Sequence, residues 1–161
     1  MTLDIMGGNK PKILIIYTGG TIGMIENPVT KALQPFDFTH LIENVPKVKM
    51  LDYEIDNIQF DPPSDSANMD HTRWREIAEA IEDNYDRYDG FVVLHGTDTM
   101  AFTASALSFM LENLHKPVII TGSQLPIGEV RTKPTTTTSP RSKRSQTCLR
   151  TTCGAAIAAQ R

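Results

Sequence analysis

Residues 90–122 run GFVVLHGTDTMAFTASALSFMLENLHKPVIITG, and the fold is decided there. Phe91 to Leu94 is a short apolar run, of the kind found in a strand covered on both faces. His95-Gly96-Thr97-Asp98-Thr99 ends it with small polar residues. From about Thr99 to Leu114, Ala104, Leu107, Leu111 and Leu114 recur at helical spacing, and Pro117 to Ile120 forms another buried run, closed by Thr121-Gly122-Ser123. Strand, helix, strand at this spacing predicts a right-handed βαβ crossover and a parallel sheet.

The pattern extends backwards from there. Asp70 offers a helix cap, and Trp74, Ile77, Ala78, Ile81 and Tyr85 line one face of a helix reaching about Tyr88. Ile13 to Tyr17 is a third buried run, ended by Thr18-Gly19-Gly20. Tyr53 to Phe60 reads as a second strand or edge segment, Asp61 to Ser66 as a loop, and Phe38 to Val45 as a short helix stopped by Pro46. Met100 and Met110 lie on helical faces and read as core.

Composition divides the chain sharply. Residues 1–131 hold all 19 acidic residues against 10 Lys and Arg, a net charge of −9. Residues 132–161 hold no acid and no aromatic, six basic residues and both cysteines, a net charge of +6. The whole-chain value of −3 is therefore a sum of unlike parts, and it points to no nucleic-acid or membrane partner. No run approaches the roughly 20 apolar residues that span a bilayer, and Ile13 to Tyr17 is shorter than a signal-peptide core of about 7 to 15, so a cytoplasmic protein is expected. Cys148 and Cys153 stand in an isolated C-x4-C with no second pair and read as incidental thiols, without zinc or a structural disulfide. The basic Thr/Ser-rich tail from 132 to 161 reads as disordered, or at most as a frayed helix where Gly154 to Ala159 turns mildly apolar.

In an open parallel sheet, ligands bind beyond the carboxyl ends of the strands. Three strand ends carry the same chemistry, a hydroxyl beside a glycine: Thr18-Gly-Gly-Thr21, Gly96-Thr97-Asp98-Thr99 and Thr121-Gly-Ser123. Glycine lets backbone approach a ligand, and a threonine whose proton is removed can act as a nucleophile. Asp98 suits a substrate amine or a hydroxyl network. Each pair alone is an ordinary turn former; three together indicate a site. His95 reads as a satisfied structural histidine rather than a base. A phosphate site at Gly19 to Gly23 is the weaker alternative, because the stretch lacks both the P-loop lysine and the G-x-G-x-x-G spacing.

Residues 12–131 resemble the bacterial-type L-asparaginases, most closely their cytoplasmic type I branch. The resemblance rests on Tyr17-Thr-Gly-Gly-Thr-Ile-Gly23 and Gly90 to Met100, supported by Pro63-Ser-Asp-Ser66, Thr103 to Met110 and Thr121-Gly-Ser-Gln124. It implies a parallel-sheet, Rossmann-like N-terminal asparaginase domain, here incomplete, and an amidohydrolase that converts L-asparagine to L-aspartate and ammonia. By the same resemblance Thr21 is the nucleophile, forming an acyl-enzyme that water resolves. Thr97 and Asp98 belong to a second triad and also contact substrate, Asp98 at the α-amine. Asp65 and Ser66 bind the α-amino and α-carboxylate groups. No metal or organic cofactor is implied, and the full-length family forms homo-oligomers.

Two departures from the family stand out. Its members place a tyrosine in the loop after the nucleophile, and Glu26 to Gln34 contains none. After Arg131-Thr132 the family continues with Asp-Gly, further strands, a triad lysine and a second domain, whereas this chain reads Lys133-Pro134-Thr135 and ends at Arg161. Residues 132–161 are therefore expected to be a frameshifted or otherwise aberrant continuation, which sequencing the coding DNA checks. A 161-residue chain of this kind is expected to have little or no activity. The other readings are a non-catalytic amino-acid-binding fragment and, last, a nucleotide-binding α/β domain.

Overall fold

The computed structural model describes residues 10–27, 29–35, 52–126 and 153–157. The expected helix at Phe38 to Val45 lies outside these residues. Strand β1 spans Lys12–Tyr17, β4 Glu54–Gln59, β5 Gly90–Leu94 and β6 Val118–Gly122, and all four run parallel in the order β4-β1-β5-β6. Register follows the pleat: Ile15 stands beside Val92, and Val92 beside Ile119. Tyr53 to Phe60 is thus a member of the main sheet, as its outer strand.

Helix α1 (His71–Glu82) links β4 to β5, and α2 (Met100–Met110) links β5 to β6. Both crossovers step in the same direction along the sheet, so their shared right hand puts both helices on one face. That face holds the main core. Leu14 and Ile16 of β1, Phe91 and Val93 of β5, and Val118 and Ile120 of β6 pack against Ile77 and Ile81 of α1 and Met100 and Leu107 of α2. The opposite face carries a smaller cluster of Tyr17, Ile22 and Leu94, with Ile15, Ile25, Ile55 and Val92 partly buried around it. Among the described residues no helix is long and apolar enough to cross a membrane.

Asp70 caps α1 as its sequence position implies. Its Oδ1 accepts from the backbone N–H of Thr72 at 3.0 Å and of Arg73 at 3.1 Å, and these bonds hold the carboxyl below its ordinary range. The helix ends sooner than its periodicity suggests, at Glu82 rather than Tyr88. Asn84, Tyr85 and Arg87 each donate to a carbonyl three residues back. These tight turns swing Tyr85 and Tyr88 onto Phe91, one ring stacked at 6.0 Å and the other edge-on at 6.4 Å. The Tyr85 hydroxyl then accepts from the backbone N–H groups of His115 and Lys116. Tertiary contact with the next strand therefore replaces the last helical turn.

Helix α2 likewise stops at Met110, not Leu114. Leu111 is extended and Asn113 takes φ +54°, reversing the chain so that Leu114 is buried by its turn rather than by a helix. Met110 is consequently 41 % exposed and is not a core residue, whereas Met100 is.

One pair of strands has no counterpart in the sequence, and one further strand departs from its pattern. Strands β2 (Met24–Glu26) and β3 (Leu33–Pro35) pair antiparallel, their turn held by Asn27 Oδ1, which accepts from the N–H groups of Val29 and Thr30. Strand β7 (Cys153–Ile157) pairs antiparallel with β6, Gly122 beside Cys153 and Val118 beside Ile157. This segment is extended rather than disordered or helical, and it pairs along the edge of β6. The physical reason is main-chain demand: the unpaired edge of β6 offers a row of donors and acceptors, and Gly154-Ala-Ala-Ile157 is uncharged and free of proline.

Candidate active site

Beyond the carboxyl ends of β1, β4 and β5 the chain makes three turns that pack on one another. After β1, Thr18 donates both its N–H, at 3.0 Å, and its hydroxyl, at 3.1 Å, to the carbonyl of Leu94, tying the first turn to the end of β5. Its own carbonyl accepts from the N–H of Ser64 at 2.7 Å, tying the same turn to the loop after β4. Gly19 and Gly20 then run at φ +143° and +90°, and Thr21 opens a single 3-10 turn, Thr21–Gly23. Both glycines are required where they stand. A Cβ on Gly20 would lie 2.5 Å from Gly96 Cα, and one on Gly19 would strike the carbonyl of Ser64.

The loop after β4 ends in another 3-10 turn, Ser66–Asn68, capped by Asp65, whose Oδ1 accepts from the N–H of Ala67 at 3.0 Å. The buried Ser66 donates its hydroxyl to Asp98 Oδ2 at 3.2 Å, and the Ser66 carbonyl accepts from the Thr99 hydroxyl at 2.6 Å. Gln124, just past β6, donates its side-chain amide to the Thr97 hydroxyl oxygen. That leaves the Thr97 proton free to be given elsewhere.

Between these turns lies a cavity of about 390 Å³. Thr21, Asp65, Ser66, Thr97 and Asp98, the five site residues expected from the sequence, all line it. Tyr17, Met24, Ser64 and Gln124 also line it and were not singled out as site residues. Gln124 lies one residue past the strand-end stretch Thr121-Gly-Ser123, and its one signal in the sequence is the family-like run Thr121-Gly-Ser-Gln124. Tyr17, by contrast, reads as a buried strand residue. Its ring lies against Gly23, its hydroxyl donates to the Gly20 carbonyl at 3.1 Å, and burial pushes the phenol above its ordinary range. The phenol thus lines the cavity as a hydrogen-bond donor to the Gly20 carbonyl. Among the described residues no group of His, Cys, Asp and Glu is arranged to hold a metal ion.

The asparaginase N-terminal family matches residues 12–136. The chain belongs to the asparaginase family. L-asparaginase 1 of Escherichia coli is 51 % identical over 127 residues, an alignment covering 76 % of this chain and 36 % of that protein. A mouse 60 kDa lysophospholipase is 41 % identical over 143 residues, covering 74 % of this chain and 25 % of the relative. Among solved structures, L-asparaginase I of Vibrio cholerae superposes with a TM-score of 0.67 at 46 % identity, covering 76 % of this chain and 37 % of that one. The L-asparaginase of Thermococcus kodakarensis does so with a TM-score of 0.65 at 34 % identity, covering 77 % and 36 %. The chain thus spans roughly a third of the length of these asparaginase relatives.

His95 adjoins the asparaginase motif residues Gly96 to Thr99 but is fully buried, with both ring nitrogens in hydrogen bonds. Burial holds it below its ordinary value of 6.5. In the unfolded chain the imidazole takes up a proton near that pH which the folded form refuses. Its contribution is therefore fully present above 6.5 and is lost as pH falls toward the folded value. Urea unfolding at about pH 7.5 and about pH 5.5 should show wild type losing stability on acidification by at most about 1.4 kcal/mol per pH unit from this group, with a flatter response in His95→Asn. Equal slopes in the two proteins would contradict the assignment.

Proposed function

We propose that the chain carries the nucleophile and substrate-binding part of an L-asparagine amidohydrolase. One observation carries this reading: three strand exits, separated in sequence by up to 77 residues between Thr21 and Asp98, deliver Thr21, Asp65, Ser66, Thr97 and Asp98 to a single cavity. The carboxylates of Asp98 and Asp65 suit the α-ammonium of an amino acid. The Ser66 hydroxyl suits its α-carboxylate once it turns away from Asp98. An asparagine bound in this way lays its side-chain amide toward Thr21 and Thr97.

Thr21 then attacks the amide carbon through Oγ1. The Oγ1–C bond forms, the C–N bond breaks, and the threonine proton leaves with the nitrogen as ammonia. Water cleaves the resulting ester, restores the threonine hydroxyl and releases aspartate. Thr97, whose oxygen is already occupied by the Gln124 amide, presents its proton to the substrate carbonyl or to that water. The nucleotide alternative lacks support, because Gly19 to Gly23 leads into one 3-10 turn and a strand, not into a helix whose N-terminus could hold phosphate.

Treatment of the purified 161-residue polypeptide with a diazoketone analogue of asparagine, followed by peptide mass spectrometry, tests the assignment independently of turnover. One adduct on Thr21, prevented by L-aspartate and absent in Thr21→Ala, is expected. Adduct elsewhere, or aspartate binding without any adduct, would overturn the nucleophile assignment and favour an amino-acid-binding fragment.

A further inference from the structure

We propose that Trp74, Thr103 and His95 form a fixed hydrogen-bond relay that positions the Gly96 peptide, and through it the Thr97-Asp98 and Gly20-Thr21 arms of the cavity. The inference rests on the amidohydrolase reading above and adds three residues that touch no substrate. The direction of each bond follows from elementary donor and acceptor capacities. The Trp74 indole N–H can only donate, and it lies 3.0 Å from Thr103 Oγ1. The threonine oxygen is thereby an acceptor, and its own proton is free for His95 Nε2, 3.0 Å away. The Gly96 carbonyl can only accept, and it lies 2.6 Å from His95 Nδ1. Of the two neutral tautomers, the one with its proton on Nδ1 satisfies all three contacts.

What this fixes is the peptide on which the arms of the cavity meet. A Cβ on Gly96 would stand 2.5 Å from Ser66 Cβ, and Gly20 Cα lies within 3.6 Å of the same point. The His95 N–H donates to the Thr121 carbonyl at 2.9 Å, so the relay is also anchored to β6. Trp74 comes from α1 and Thr103 from α2, hence both helices contribute to the orientation of the turn after β5. Thr103 and His95 are fully buried, so bulk water does not compete for these bonds.

The test uses the whole polypeptide with nitrogen-15 labelled histidine. In wild type the His95 Nδ1 resonance should be that of a protonated nitrogen and Nε2 that of an unprotonated one; the reverse tautomer overturns the relay without any variant being made. Thr103→Val removes the hydroxyl at nearly constant volume, and Thr103→Ser restores it. In the valine variant the amide resonances of Gly96, Thr97 and Asp98 should shift and L-aspartate affinity by calorimetry should fall about tenfold, both returning in the serine variant. Unmoved amides in Thr103→Val overturn the positioning role, and so does a serine variant that fails to restore them. If wild type itself binds no aspartate, the amidohydrolase reading fails, while the tautomer and the amide shifts still decide the relay.

Discussion

Gly20→Ala is expected to collapse the cavity and to destabilise the fold by about 3–5 kcal/mol, among the largest effects available to a single methyl group here. Two penalties act together. Gly20 occupies φ +90°, a region where a residue with a Cβ is strained by about 1–3 kcal/mol. The added carbon would also stand 2.5 Å from Gly96 Cα and 2.7 Å from Gly96 N. Relief by movement is closed off on both sides. Gly96 is pressed against Ser66 and bonded to His95, while the Gly20 carbonyl is bonded to Tyr17. Urea unfolding followed by circular dichroism checks the stability, and calorimetry with L-aspartate checks the site. A wild-type midpoint would mean that the turns after β1 and β5 do not pack as described.

Asp98→Asn is expected to weaken L-aspartate binding on the order of tenfold to a hundredfold while leaving the unfolding midpoint nearly unchanged. The substitution separates charge from shape. An asparagine oxygen still accepts from the Ser66 hydroxyl, so the link between the two turns survives. Only the negative charge that the proposed function sets against the substrate ammonium is lost. Asp98 is exposed at the cavity rim, so its charge costs little desolvation until a ligand covers it. Binding unchanged from wild type would remove Asp98 from the ammonium site and leave Asp65 as the carboxylate to examine.

The element types were legible in the sequence wherever burial was two-sided. The runs at Ile13, Phe91 and Pro117 are apolar without alternation because neighbouring strands and helices flank them, and all three fall in the parallel sheet. The lining of the cavity was legible for a related reason. Backbone at a strand exit must turn away from the sheet, so Thr-Gly pairs there mark chemistry at the ligand-binding edge. Thr21, Asp65, Ser66, Thr97 and Asp98 all reach the cavity. Helix ends were not legible, because Tyr85 and Leu114 keep helical spacing while obeying contacts with Phe91 and with the strand beyond. Tyr17 was hidden by alternation itself: inside a strand, its face is set by the pleat, and only the tertiary fold shows that this face opens onto the cavity. The pairing of Cys153–Ile157 was hidden because an edge-strand partner is selected by main-chain hydrogen bonding, which leaves little trace in side-chain pattern.

The local sequence specified a parallel α/β unit, membership in the asparaginase pattern, and the hydroxyls and carboxylates that line the cavity. Those are local properties, set by hydrophobic period and by what glycine and threonine permit at a turn. The tertiary structure alone decided that these groups meet. The strand order places β1 between β4 and β5, so the turns after all three emerge side by side. Close approach at Gly19, Gly20 and Gly96 then brings backbones near enough for Ser66 to reach Asp98 and for His95 to hold the peptide between them. Such proximity arises from steric fit between segments distant in the chain, which no local pattern encodes.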